Sequence, residues 1–79
     1  MVVLDPDFYK RDTETVAREL LGNVLVRRRG EKLLGGVIVE TEAYFGSEDP
    51  ASRAFHGKKR YNQVMFAEPG NLFIYNVHQ

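Results

Sequence analysis

The sequence has no cysteine, no tryptophan and no excess of charge: 11 Lys and Arg balance 11 Asp and Glu over 79 residues. Without cysteine there is no disulfide framework and no thiolate zinc site. The only histidines, His56 and His78, have no ligand-spaced partner, so no metal is expected. Zero net charge removes collective charge as a reason to bind nucleic acid, and any such binding has to be local. Long apolar runs are absent as well. The longest falls far short of the about 20 residues of a membrane span, and Asp5 and Asp7 are out of character for a signal peptide. No membrane association is expected, and the absence of cysteine suits a reducing, cytoplasmic location.

What is present is enough to fold. Val, Leu, Ile and Phe fill 23 of the 79 positions, above the roughly one-fifth below which chains tend to be disordered. A single domain over residues 1–79 is expected. At this size its core should supply no more than about 5 kcal/mol.

Residues 1–11 read as a lead-in segment, with a turn at Asp5-Pro6 and with Phe8 and Tyr9 as anchors. A helix should follow. Asp12 or Thr13 can cap its first turn, Glu14 favours the positive end, and Gly22 sits where a left-handed residue closes a helix. Val16, Ala17, Leu20 and Leu21 form its apolar stripe. Two strands come next, Asn23 to Arg28 and Lys32 to Tyr44, joined by a turn at Arg29-Gly30-Glu31 into an antiparallel hairpin. Gly35-Gly36 inside the second strand suggests a bulge or a close backbone approach. Residues 45–63 look like a long loop carrying the basic run Lys58-Lys59-Arg60. After the turn Glu68-Pro69-Gly70, a third strand is expected over Asn71 to Val77. The predicted class is α+β: a mainly antiparallel sheet with a covering N-terminal helix. Three strands leave a long edge open, so either self-association or a missing C-terminal segment should complete the sheet.

The segment Glu40-Thr41-Glu42-Ala43-Tyr44 is the most informative. On a strand, Glu40, Glu42 and Tyr44 share one face at about 6.5–7 Å intervals, while Val37, Val39, Thr41 and Ala43 share the other. A carboxylate in a partly dry cleft can deprotonate water, and an aromatic two residues on can stack a flat substrate. The same pattern also describes an ordinary strand with a solvated polar face. Arg27-Arg28-Arg29 reads as a solvated hairpin end or a phosphate contact. Lys58, Lys59 and Arg60, near His56 and Tyr61, are better placed for phosphate. Phe73 and Tyr75 alternate on the last predicted strand, as core or as stacking residues.

Taken in order, "ARELLGNVLVRR", "GGVIVETEAYFGSEDPAS" and "NQVMFAEPGNLFIY" resemble the alkyladenine (3-methyladenine) DNA glycosylase family, from about residue 5 to residue 78. The resemblance implies a curved antiparallel sheet in an α+β domain, of which this chain would be the N-terminal portion. It implies hydrolysis of the N-glycosidic bond of a damaged purine flipped out of double-stranded DNA, without metal or cofactor. Glu42 falls on the family's catalytic glutamate, which positions and deprotonates the attacking water. Tyr44 and Tyr75 fall on the two aromatics that sandwich the flipped base, and Met65 on a methionine near the DNA. Three positions depart from the pattern. Arg53 stands where the family often has His, with His56 three residues on; Tyr61-Asn62 stands where Arg-Asn is common; and His78 stands where a tyrosine wedges into the DNA gap. Arg53, Lys58, Lys59, Arg60 and His78 are the remaining DNA-binding candidates. The rival expectation is a non-catalytic remnant that binds nucleic acid or dimerises through its sheet.

Overall fold

A computed structural model describes residues 3–74; Tyr75 and His78 lie outside the described residues. In chain order there is a 3₁₀ turn (Pro6–Lys10), helix α1 (Thr13–Leu20), strands β1 (Val24–Arg29) and β2 (Lys32–Val37), and 3₁₀ turns at Gly46–Glu48 and Gln63–Phe66. Among the described residues, one helix and a two-stranded antiparallel sheet make a small α+β fold. The described residues form two compact units: Arg11–Ala43, and the residues on either side of that stretch.

In the Arg11–Ala43 unit, both ends of α1 are closed by side chains. At the start, the Asp12 carboxylate accepts from the Thr15 N–H at 3.0 Å and from the Thr15 hydroxyl at 3.1 Å. At the end, a helix leaves its last four carbonyls without intrahelical partners, and here each finds one. The Ala17 carbonyl accepts from the Thr41 hydroxyl at 2.8 Å, and that of Arg18 from the Leu21 N–H at 3.4 Å. The Glu19 carbonyl accepts from Asn23 Nδ2 at 2.8 Å, and that of Leu20 from the Asn23 N–H at 3.1 Å. Gly22, at φ +85°, makes the predicted left-handed exit. Glu14–Arg18 and Arg11–Glu19 are exposed ion pairs at 3.3 and 3.1 Å, of the kind that adds little stability.

The hairpin register is unbroken from Val24 opposite Val37 to Arg29 opposite Lys32. Gly30 and Glu31 form a two-residue turn with Gly30 at φ +61°, the first-position geometry that a type II′ turn asks of glycine. There is no bulge at Gly35-Gly36. A side chain at Gly35 would meet Val24 Cγ1 at 3.4 Å, whereas Gly36 faces open space. Directly paired residues share a face, so Val24, Val26, Leu33 and Val37 lie on one side and Leu25 and Leu34 on the other. All are exposed except half-buried Val26.

Three expectations need correction. The second strand ends at Val37 and does not run to Tyr44. One further pair of main-chain bonds, Ile38 N–H to Asn23 and Gly22 N–H to Ile38, carries the pairing one residue on; among the described residues no strand lies beside 39–44. Strand propensity marks a stretch that suits a ladder, but the ladder itself needs a neighbour. Of the expected third strand, residues 71–74 carry no ladder and the remainder lies outside the described residues. The helix, too, does not cover the hairpin. Its half-buried Val16, Ala17 and Leu20 are matched by half-buried Ile38, Thr41 and Ala43, while the hairpin faces stay in solvent.

In the second unit, Phe8 and Tyr9 are half-buried as anticipated, with ring centroids 5.1 Å apart, edge to face. Gly70, at φ +97°, lies close enough to Tyr9 that any side chain there would meet the ring at 3.5 Å. The long stretch from residue 45 is ordered by short turns, and it holds the only buried residues described: Ser52, Ala54 and Asn62. Against these, sixteen large apolar or aromatic side chains are exposed, so the described residues contain very little core.

Candidate functional site

The Glu40–Tyr44 segment lies outside regular secondary structure, yet its exposure alternates as predicted. Glu40, Glu42 and Tyr44 are exposed, and Thr41 and Ala43 are half-buried. The bond from Thr41 to Ala17 fixes this phase, because it turns the odd residue toward α1 and leaves the two carboxylates outward. The predicted phase fails upstream: Val37 and Val39, placed on the same face as Thr41 and Ala43, are 60% and 85% exposed, and Ile38 is half-buried instead. Glu40 and Glu42 belong to the Arg11–Ala43 unit and Tyr44 to the other.

The loop that follows is held by side-chain-to-backbone bonds. Asp49 accepts from the Phe45 N–H at 3.0 Å and the Ala51 N–H at 2.9 Å, a local turn of the kind Asp favours. Asn62 Oδ1 accepts from the Lys59 N–H at 2.7 Å, and its Nδ2 donates to the carbonyls of Arg53 (2.8 Å) and Gly57 (3.2 Å). Tyr61 donates its hydroxyl to the same Arg53 carbonyl at 3.1 Å.

The structure thus brings Arg53, Lys58, Lys59 and Arg60 into one folded loop, with all four side chains exposed. Among the described residues, Lys58, Lys59 and Arg60 form no ion pair. His56 is exposed, its ring 5.0 Å from that of Phe55. Met65 sits on the 3₁₀ turn Gln63–Phe66 and is 37% exposed. Phe73 is half-buried, its ring 6.1 Å from Tyr61.

Sequence reasoning attached no role to Asn62 or Thr41. A single polar residue that folds a loop or ties a strand leaves no periodic signal. The one available cue was that Asn62 keeps the family's residue while its neighbour Tyr61 does not.

Arg27, Arg28 and Arg29 are exposed, and pairing puts Arg28 on the face opposite to Arg27 and Arg29. A shallow open depression at the hairpin turn, lined by Arg29, Glu31, Lys32 and Leu34, holds none of the predicted site residues.

The methylpurine-DNA glycosylase family matches residues 7–79. The chain belongs to this family. It is 50% identical over 76 residues to a provisionally named 3-methyladenine DNA glycosylase of Clostridium perfringens (strain 13 / Type A), covering 95% of this chain and 37% of that protein. Similarly named proteins are 46% identical in Koribacter versatilis (90% of this chain, 34% of that protein) and 42% identical in Aeropyrum pernix (98% and 40%). This member of the methylpurine-DNA glycosylase family therefore spans little more than a third of the length of these relatives. The family is named for methylpurine-DNA glycosylase activity and these relatives for 3-methyladenine DNA glycosylase activity. No solved structure matches the chain.

Proposed function

We propose that this chain carries the catalytic segment of a DNA glycosylase that hydrolyses the N-glycosidic bond of an alkylated purine flipped out of duplex DNA. The observation that carries the reading is family membership over residues 7–79, a span that includes Glu42 and Tyr44. The exposure of both Glu42 and Tyr44 supports it.

In this reading Glu42 accepts a proton from a water whose oxygen bonds to C1′ of the deoxyribose. The bond from C1′ to the purine nitrogen breaks, and its electron pair leaves with the base. A ring-alkylated purine is cationic and departs neutral, so a water-activating carboxylate serves without a strong general acid. Tyr44 and Tyr75 stack on the extruded base. Each aromatic contact returns about 1–3 kcal/mol per base against the few kcal/mol that flipping costs, and the cationic base strengthens the contact. Arg53, Lys58, Lys59 and Arg60 bind phosphates, and Met65 and His78 lie near the vacated gap. No cofactor is required.

The exposed apolar residues of the hairpin favour a second reading, a non-catalytic remnant that binds nucleic acid or dimerises through its bare sheet. An excision assay on a duplex carrying one alkylated or deaminated purine separates the two. Release of free base by the 79-residue chain, lost in Glu42→Gln, supports the glycosylase; no release from any such duplex leaves the remnant.

A further inference from the structure

Asn62 is the most completely buried side chain described, at 1% exposure, and it is polar. Burying a primary amide is costly unless its donors and acceptor are used. Asn62 uses them entirely on the main chain of its own loop, bonding to Lys59 at 2.7 Å, Arg53 at 2.8 Å and Gly57 at 3.2 Å. Three strands of contact from one amide therefore gather residues 53–62 into a single folded turn. Tyr61 reinforces it at the Arg53 carbonyl, and Ser52 Oγ accepts from the Ala54 N–H at 3.0 Å next door.

This loop has four cationic side chains within eight residues, and its own sequence offers no reason for them to stay together. Like charges spread an unrestrained loop, and gathering them again on binding costs ordering entropy. The amide has removed that cost before a partner arrives. Resting on the glycosylase reading above, we infer that Asn62 is a positioning residue for DNA binding. It touches no phosphate, but it folds the loop so that Lys58, Lys59 and Arg60 meet the phosphates of a duplex together.

The test uses the full 79-residue chain, an undamaged duplex oligonucleotide titrated at several salt concentrations, and amide hydrogen exchange. Asn62→Ala changes no charge. Exchange at the Lys59 amide should quicken by about tenfold or more while the β1–β2 amides keep their rates. Duplex affinity should fall about tenfold, with a shallower salt slope. Adding Lys58/Lys59/Arg60→Ala to that variant should then cost little more, because the contacts are already lost.

If Asn62→Ala frees the Lys59 amide yet leaves affinity and slope unchanged, while the triple variant alone weakens binding, the loop binds DNA without the clasp. The inference then falls and the glycosylase reading stands. A Lys59 amide that is unprotected in the wild type also overturns the inference. If the triple variant alone binds as well as wild type, the loop has no part in DNA binding and the inference fails, while the glycosylase reading must find its phosphate contacts elsewhere. Should Asn62→Ala also unprotect the hairpin, Gly57→Ala decides by the same criteria. Gly57 holds φ +83° with open space around it, so the added methyl strains only the backbone of the clasp.

Discussion

Thr41 donates its hydroxyl to the Ala17 carbonyl at 2.8 Å, tying the segment that carries Glu40 and Glu42 to the last turn of α1. The bond has two effects. It satisfies a carbonyl that the helix cannot satisfy itself, and it sets which residues of the segment face outward.

Thr41→Val keeps the shape and removes the donor. The partly buried Ala17 carbonyl loses its partner, and stability should fall by about 1–2 kcal/mol. Thr41→Ser should restore most of it. Thermal melts followed by circular dichroism measure both, and equal melting of wild type and Thr41→Val would show that the bond contributes nothing.

Within the motif, Glu42→Gln should reduce base excision on the order of 10²–10⁴-fold while leaving lesion binding nearly intact. Glu40→Gln is the matched control, exposed in the same way two residues earlier. Single-turnover base release, paired with a binding titration, distinguishes a lost proton acceptor from misfolding. Loss in Glu40→Gln with activity retained in Glu42→Gln would reverse the assignment.

The basic loop should set the salt dependence. Each phosphate neutralised contributes roughly −0.9 to the log–log salt slope on duplex DNA. Replacing Lys58, Lys59 and Arg60 by Ala should therefore flatten the slope by about 2–3. Fluorescence anisotropy across a salt series checks this, and an unchanged slope would place the phosphate contacts elsewhere.

Leu33 and Val37 stand exposed on one face of the hairpin beside Val24 and Val26. An apolar strip of this kind promotes association. Leu33→Lys combined with Val37→Lys should shift the chain toward monomer in sedimentation at several concentrations. A wild-type chain that stays monomeric at every concentration contradicts this.

Local chemistry was the legible part of the fold. The Asp12 cap, the helix it starts, the Gly22 exit and the Gly30 turn each depend on one or two residues with strong conformational preferences. Pairing beyond Val37 was not legible, because β-branched residues such as Val39 look the same whether or not a neighbouring strand exists. The same holds for the candidate site. The outward placing of Glu40 and Glu42 followed from a period of two, which survives without a ladder because Thr41 supplies the anchor. The folded loop around Asn62 did not follow, since its bonds run from one amide to three backbone atoms that sequence spacing does not encode.

The closure of α1 also bears on the order in which the chain can fold. Asp12 at one end and Leu21, Asn23 and Thr41 at the other supply the capping bonds, and the most distant lies 24 residues from its partner. Short sequence separation makes such contacts quick to form. During synthesis from the N-terminus, the helix can be capped at both ends once Thr41 has left the ribosome, before Tyr44 and the basic loop have followed it. The element that orients Glu42 would then take shape before the basic loop.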